Sequence, residues 1–255
     1  MMRLQRLAAL WLPLAAAALL AAGRAGPAEA VTCEAVTFRD AAYTVCEVDP
    51  SREELRLFLN DARGRPFGSF RAVEAERGPL AFAMNAGMYH ADRRPVGLYI
   101  EDGQEIAGIV TADGPGNFGM LPNGVFCIGN GRAQVIESRD FAARRPDCRH
   151  ATQSGPLLVL GGRLHPRFIE GSDFTNIRNG VGTSAAGDRV VFAISEDEVN
   201  FFDFALLFRD VLGVPDALYL DGRVSRLHMP EMGRSDAGLR MGPIVGVPAR
   251  SEEGG

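Results

Sequence analysis

The chain opens with an apolar run, Leu7 to Ala22, preceded by Arg3 and Arg6, and then changes to short apolar segments cut by glycine, asparagine, aspartate and proline. The opening run is short for a membrane span and reads as a secretory signal, with Ala28-Glu29-Ala30 as the small-x-small cleavage site. The expected organisation is a signal over 1–30, one domain over 31–250 and a disordered tail over 251–255. Within the domain, Ala42 to Asp49 alternates as a strand does. The following "SREELRLFLNDARG" places Leu55, Phe58 and Leu59 on one helical face behind a cap at Ser51, which predicts a helix.

From Leu80 to about Val159 the runs "LAFAMNAG", "VGLYIEDG", "EIAGIVT", "GVFCIGNG", "AQVIES" and "GPLLVLGG" are separated by Asp-Gly and Asn-Gly signals, which predict tight hairpins. A further strand, Arg189 to Glu196, leads to a dense apolar stretch, "FFDFALLFRDVLG", with Asn200 as its cap and Gly213 at its stop. "DALYLDG" then reads as a buried strand, so the unit has the strand, helix, strand order of a parallel pair. The fold class expected is α+β: a mixed, largely antiparallel sheet with a few covering helices and one βαβ-like unit near the C-terminus.

Composition narrows the chemistry. All 27 basic residues are arginine, which excludes Schiff-base lysines, a P-loop lysine and a Ser-Lys dyad. Anions must be held by guanidinium forks, backbone amides or a metal. Signal removal takes the net charge from −5 to −7, and an acidic chain without a basic run is a poor nucleic-acid binder. Cys33, Cys46, Cys127 and Cys148 all follow the cleavage site, where an oxidising compartment favours disulfides. Of three connectivities, Cys33 with Cys46 and Cys127 with Cys148 is the most local. The four histidines are dispersed without zinc spacing, and Ser154 lacks a nucleophile elbow.

Three strand exits carry the polar groups. In "NAGMYHADRRPVG", Asn85 offers an amide donor and acceptor, Gly87 permits close backbone approach, and Arg94 can grip an anion bidentately. In "TQSGPLLV", Gln153 and Ser154 precede a buried strand, and "NIRNGVGTS" surrounds Arg178 and Asn179 with small residues. In "LYLDGRVS", Asp221 follows an apolar run, where a carboxylate needs a partner or a function.

The ordered set Asn85-Ala86-Gly87-Met88-Tyr89, then "PVGLYIEDG", "GPLL", "RNGVG" and "LDG" resembles the phosphodiester glycosidase family, specifically its YigE-like bacterial exported branch. The likeness runs from about Ala81 to Pro248. It implies a hydrolase cleaving the glycosidic C–O bond of a sugar-1-phosphodiester in the periplasm or outside the cell, with a phosphorylated carbohydrate or envelope glycopolymer as partner. By resemblance Asp221 is nucleophile or water-activating base, with Arg178 and Arg94 for the phosphate. Asn85, Gly87, Tyr89, Gln153, Ser154, Asn179 and Ser225 belong to the substrate cleft. Asp203 and Glu196 are available as a second carboxylate. Arg223 and Val224 replace glycines of the animal uncovering enzyme, which implies a different substrate. No organic cofactor is called for; a bound divalent cation and the oligomeric state stay open. The alternatives are a non-catalytic periplasmic binder of anionic glycans and a metal-dependent phosphodiesterase.

Overall fold

A computed structural model describes residues 31–250; the signal and tail expected from the sequence lie outside these described residues. The strands form three sheets, and every hydrogen-bonded pair of strands in them is antiparallel. The first sheet runs in the order Val31–Phe38, Ala41–Val48, Val190–Ser195, Asn179–Thr183, Asp216–Asp221, Leu157–Leu160, Arg163–Leu164. The second places Leu80–Asn85 between Leu227–Met229 and Ile244–Pro248, and the third is built on Gly124–Gly129 and His150–Ser154. Short helices, Phe70–Arg77, Ser138–Arg144 and Phe201–Leu206, pack around them. The α+β class expected from the sequence is the one observed.

Local chemistry explains the elements. Arg39-Asp40, Asp102-Gly103, Asn130-Gly131 and Gly161-Gly162 all take positive φ, the geometry that two-residue hairpins require. Asn200 caps its helix by accepting from the Asp203 N–H at 2.8 Å, and the helix relaxes into a π-helical turn over Leu207–Val211 before Gly213 at φ 64°. The strand, helix, strand unit is present, and its strands run the same way. They are not neighbours, however, because Asn179–Thr183 is inserted between them and pairs with both. Cys33 pairs with Cys46 and Cys127 with Cys148, the local connectivity.

The helix expected after Ser51 is not formed. Asp49 accepts from the Ser51 N–H and Oγ, closing a turn, and Arg56–Phe58 is a strand on the edge of the second sheet. "LRLFL" satisfies period 2 as well as period 3.6. With Leu55, Leu57 and Leu59 facing the main core and Phe58 facing a second cluster, the strand buries all four apolar side chains, which one helical stripe cannot.

The main core draws Phe82 and Met84 from the second sheet, Val181, Phe192 and Leu218 from the first, and Tyr99, Phe126 and Val135 from the third. All three sheets therefore meet over one apolar centre. Leu57→Ala should cost about 2–5 kcal/mol in chemical denaturation. A loss under 1 kcal/mol, as for a residue beside a helical stripe, would contradict the strand.

Candidate functional site

The three polar strand exits converge where the sheets meet. Asn85 ends its strand in the second sheet, and Asn179 begins its strand in the first; their side-chain amides bond reciprocally, Asn85 Nδ2 to Asn179 Oδ1 at 3.1 Å and Asn179 Nδ2 to Asn85 Oδ1 at 3.0 Å. Each carboxamide oxygen also accepts a main-chain N–H. Asn179 Oδ1 takes that of Asp221 at 3.0 Å, and Asn85 Oδ1 takes that of Arg226 at 2.9 Å. The third sheet joins through Thr152 Oγ1, which donates to the Ala86 carbonyl at 2.8 Å, and Ser154 Oγ, which donates to that of Leu220 at 2.9 Å.

Asp221 is the carboxylate of this junction. It is 8 % exposed, accepts from the Gly222 and Arg223 N–H groups at 2.7 and 2.9 Å, and has no cationic side chain within 4 Å among the described residues. Burial pushes its carboxyl above the ordinary value, against the lowering effect of the loop amides and of Arg223. Tyr219, two residues earlier across a register shift in the pairing with Asn179–Gly180, is also pushed up by burial; the Arg178 charge opposes that shift and Asp221 adds to it. A Cβ on Gly222 would lie 2.0 Å from the Tyr219 hydroxyl, so only glycine lets that hydroxyl reach under the loop.

Arg178 is wholly buried, with no carboxylate within 4 Å among the described residues. Its Nε and Nη2 donate to the Val199 and Phe174 carbonyls at 2.7 and 2.9 Å, and its guanidinium lies 3.7 Å over the Phe201 ring. Nη1 has no partner, and the Tyr219 ring is 5.5 Å away. Backbone dipoles and the ring face thus compensate much of the charge's desolvation, and one donor is left over beside a phenol.

The other residues expected in the cleft divide into supports and outliers. Gln153 is consumed by the neighbouring loop, accepting from Leu98 and Val110 N–H and donating to the Val110 carbonyl and Ser138 Oγ. Ser154 and Asn179 are buried braces, and Ser225 Oγ lies 3.0 Å from the carbonyls of Ile177 and Asp221, holding the loop closed. Gly87 takes φ 143° with Thr152 Oγ1 3.0 Å from where a Cβ would stand, a fit that favours glycine. Tyr89 is half-buried, its hydroxyl donating to the Arg240 carbonyl at 3.2 Å, and its ionisation is opposed first by burial and then by Asp221. Arg94 is not brought to this cluster: its side chain is 79 % exposed and bound to Asp92 at 2.6 Å. The carboxylates considered as a second member are engaged elsewhere, Glu196 with Arg234 and Thr44, Asp203 with Asn200 and Arg39. Among the described residues no group of three or more His, Cys, Asp or Glu side chains is placed to hold a metal ion.

Two residues of the site were not singled out from the sequence. Tyr219 had a signal, its i, i+2 spacing from Asp221. Arg226 had none, because its burial follows from pairing Leu227 with Met84 across the second sheet.

The family model described as phosphodiester glycosidase matches residues 79–229, which span every strand exit in the junction, and the chain belongs to that family. Among individual relatives, it is 36 % identical over 191 residues to the uncharacterized protein YigE of Escherichia coli (strain K12), covering 74 % of this chain and 73 % of the relative. In structure it is similar to the zebrafish N-acetylglucosamine-1-phosphodiester alpha-N-acetylglucosaminidase catalytic domain auto-inhibited by pro-peptide (TM-score 0.60, 14 % identity, 86 % of this chain and 82 % of that one). A hypothetical protein from Synechocystis has a TM-score of 0.56 at 15 % identity, over 87 % of this chain and 62 % of that one. At these identities the structural likenesses bear on the fold.

Because burial raises the Asp221 carboxyl in the folded chain, its contribution to stability is intact below the unfolded-state value and is lost as pH rises through the folded value. Asp221→Asn should therefore melt above the wild type at pH 7, the margin closing as pH falls into the ordinary carboxylate range. Thermal scans showing an equal margin at both ends would contradict a burial-raised carboxylate.

Proposed function

We propose that this chain is an exported hydrolase that cleaves the glycosidic C–O bond of a sugar-1-phosphodiester, within envelope glycopolymers. The observation that carries the proposal is Asp221: a buried carboxylate without an ion-pair partner among the described residues, fixed by loop amides at the meeting point of three sheets, in a chain of the phosphodiester glycosidase family. The two disulfides support export, since they persist in oxidising compartments.

The chemistry fits the residues available. A phosphate monoester is a far better leaving group than an alcohol, so the reaction leans less on a second carboxylic acid than ordinary glycoside hydrolysis does. Its demand is for a base or nucleophile at the anomeric carbon and for donors to the phosphate. Asp221 supplies the first in its ionised form. For the second, burial keeps Tyr219 protonated, and the guanidinium of Arg178 beside it strengthens the phenol as a donor. Arg178 acts as a positioning residue here, since its own donors are turned to Val199 and Phe174.

Release of free sugar from a model sugar-1-phosphodiester is the test. Asp221→Asn should keep binding and lose turnover by about 10²–10⁴-fold, and Tyr219→Phe should lower kcat by on the order of 10². The wild-type rate should fall as pH drops through the raised Asp221 value. In labelled water the new oxygen should enter the sugar. Label in the phosphate would point to P–O cleavage, and glycan binding without turnover, indifferent to Asp221→Asn, would make the protein a binder.

A further inference from the structure

Arg226 is 8 % exposed, and its one hydrogen bond among the described residues is made by the main chain, to Asn85. No carboxylate of the described residues lies within 4 Å of its guanidinium. The nearby acid, Asp236, is occupied by both Arg234 and the Leu227 N–H. The pocket wall is cut to admit the group: a Cβ on Gly238 would stand 2.5 Å from Arg226 Nη2. Its guanidinium nitrogens keep contact with solvent and feel Asp236 only at a distance, whereas the donors of Arg178 are mostly satisfied inside the fold.

Arg226 does not stand alone. It shares the surroundings of Tyr89 with Arg93, whose guanidinium lies 5.1 Å over the Tyr89 ring, and with exposed Arg223, whose main-chain N–H is on Asp221. The tyrosine is itself fixed, its ring against Gly242, where a Cβ would be 2.5 Å from Cγ. None of the three arginines has a carboxylate within 4 Å among the described residues, although the chain as a whole carries a net charge of −5. Arg93, Arg223 and Arg226 thus bring positive charge without a close carboxylate to the surroundings of Tyr89, and Arg178 beside Tyr219 is the other basic group of the site.

We propose that Arg93, Arg223 and Arg226 form a second anion subsite around Tyr89, which binds a negatively charged group of the substrate beyond the scissile phosphodiester. The substrate class is then a polyanionic glycopolymer with charge recurring along its chain. The assignment of the scissile bond rests on the function proposed above; the binding of a second anion does not. Three guanidiniums at one rim can grip a phosphate from several directions, and the planar fork of Arg226, already held in its slot, loses little freedom in doing so.

The experiment compares two sugar-1-phosphodiesters that differ in the aglycone: glycerol in one, glycerol phosphate in the other. It adds calorimetric binding of a glycerol phosphate oligomer to the Asp221→Asn protein. The expected result is a kcat/KM about tenfold higher for the doubly charged substrate, mainly through KM, with the ratio falling to about one in Arg226→Gln and in Arg223→Gln. Arg223 is exposed, so its variant keeps the comparison readable where Arg226→Gln fails to fold. Equal kcat/KM for the two substrates in the wild type overturns the subsite and leaves the glycosidase standing. No turnover of either, with oligomer binding that depends on Arg226 or Arg223, does the reverse. No turnover and binding indifferent to both arginines overturns both.

Discussion

The amide pair between Asn85 and Asn179 is the constraint on which the rest of the site depends. It joins the end of a strand in one sheet to the start of a strand in another, and its two oxygens hold the main chain at Asp221 and at Arg226. Both side chains are fully buried, so each donor or acceptor left without a partner would carry the full desolvation penalty. The reciprocal geometry avoids this by letting each amide satisfy the other while keeping an oxygen lone pair for the backbone. A shift of one sheet against the other would break both amide–amide bonds and the bond from Asn179 Nδ2 to the Asn85 carbonyl together. The main chain at Asp221 and at Arg226 is therefore set in register by one interaction.

Around that brace, charge is distributed unevenly. On one side of Asp221, Arg178 is bound to two carbonyls and stacked on Phe201, a compensated cation that acts through its field. Arg226 has a slot, and the acid that acts on it, Asp236, is bound to Arg234 and lies beyond 4 Å. The carboxylate between them is held by backbone N–H groups, which lack the freedom to follow a changing charge. Fixed dipoles of this kind do not have to reorganise as charge develops in a reaction, and that is the main source of electrostatic stabilisation in enzymes.

The sequence revealed most strands and the cap at Asn200 because each is written in adjacent residues, whereas it left three disulfide connectivities open, of which the most local is observed. It misled at "LRLFL", where two periodicities fit the same letters and only the position of the second core cluster decides between them. At the site, Asp221 and Arg178 were legible as charged residues in apolar runs. Arg94 looked equivalent to them, but Asp92, two residues before it, offers a bond that leaves both in solvent. Gln153 and Ser154, singled out because they precede a buried strand, are themselves buried, with Gln153 spent on the neighbouring loop and Ser154 on joining two sheets. Arg226 was invisible because a residue's lack of a partner is a property of three-dimensional packing.

The loop after Asp221 shows how the departure from glycine in the resembling family segment is accommodated. Gly222 remains because the Tyr219 hydroxyl occupies the space a side chain would need. Val224, in place of a second glycine, is 7 % exposed and packs into the cluster of Phe58, Phe67 and Phe70. That contact ties the loop to the second sheet by apolar burial, and Ser225 closes it by hydrogen bonding. Glycines at these positions would supply the same amides with more freedom to lose on ordering. Here the amides at 222 and 223 are already aimed at the carboxylate, and the side chain at 223 is free to carry a charge outward. The loop thus combines a side chain packed into the core at Val224 with an exposed charge at Arg223.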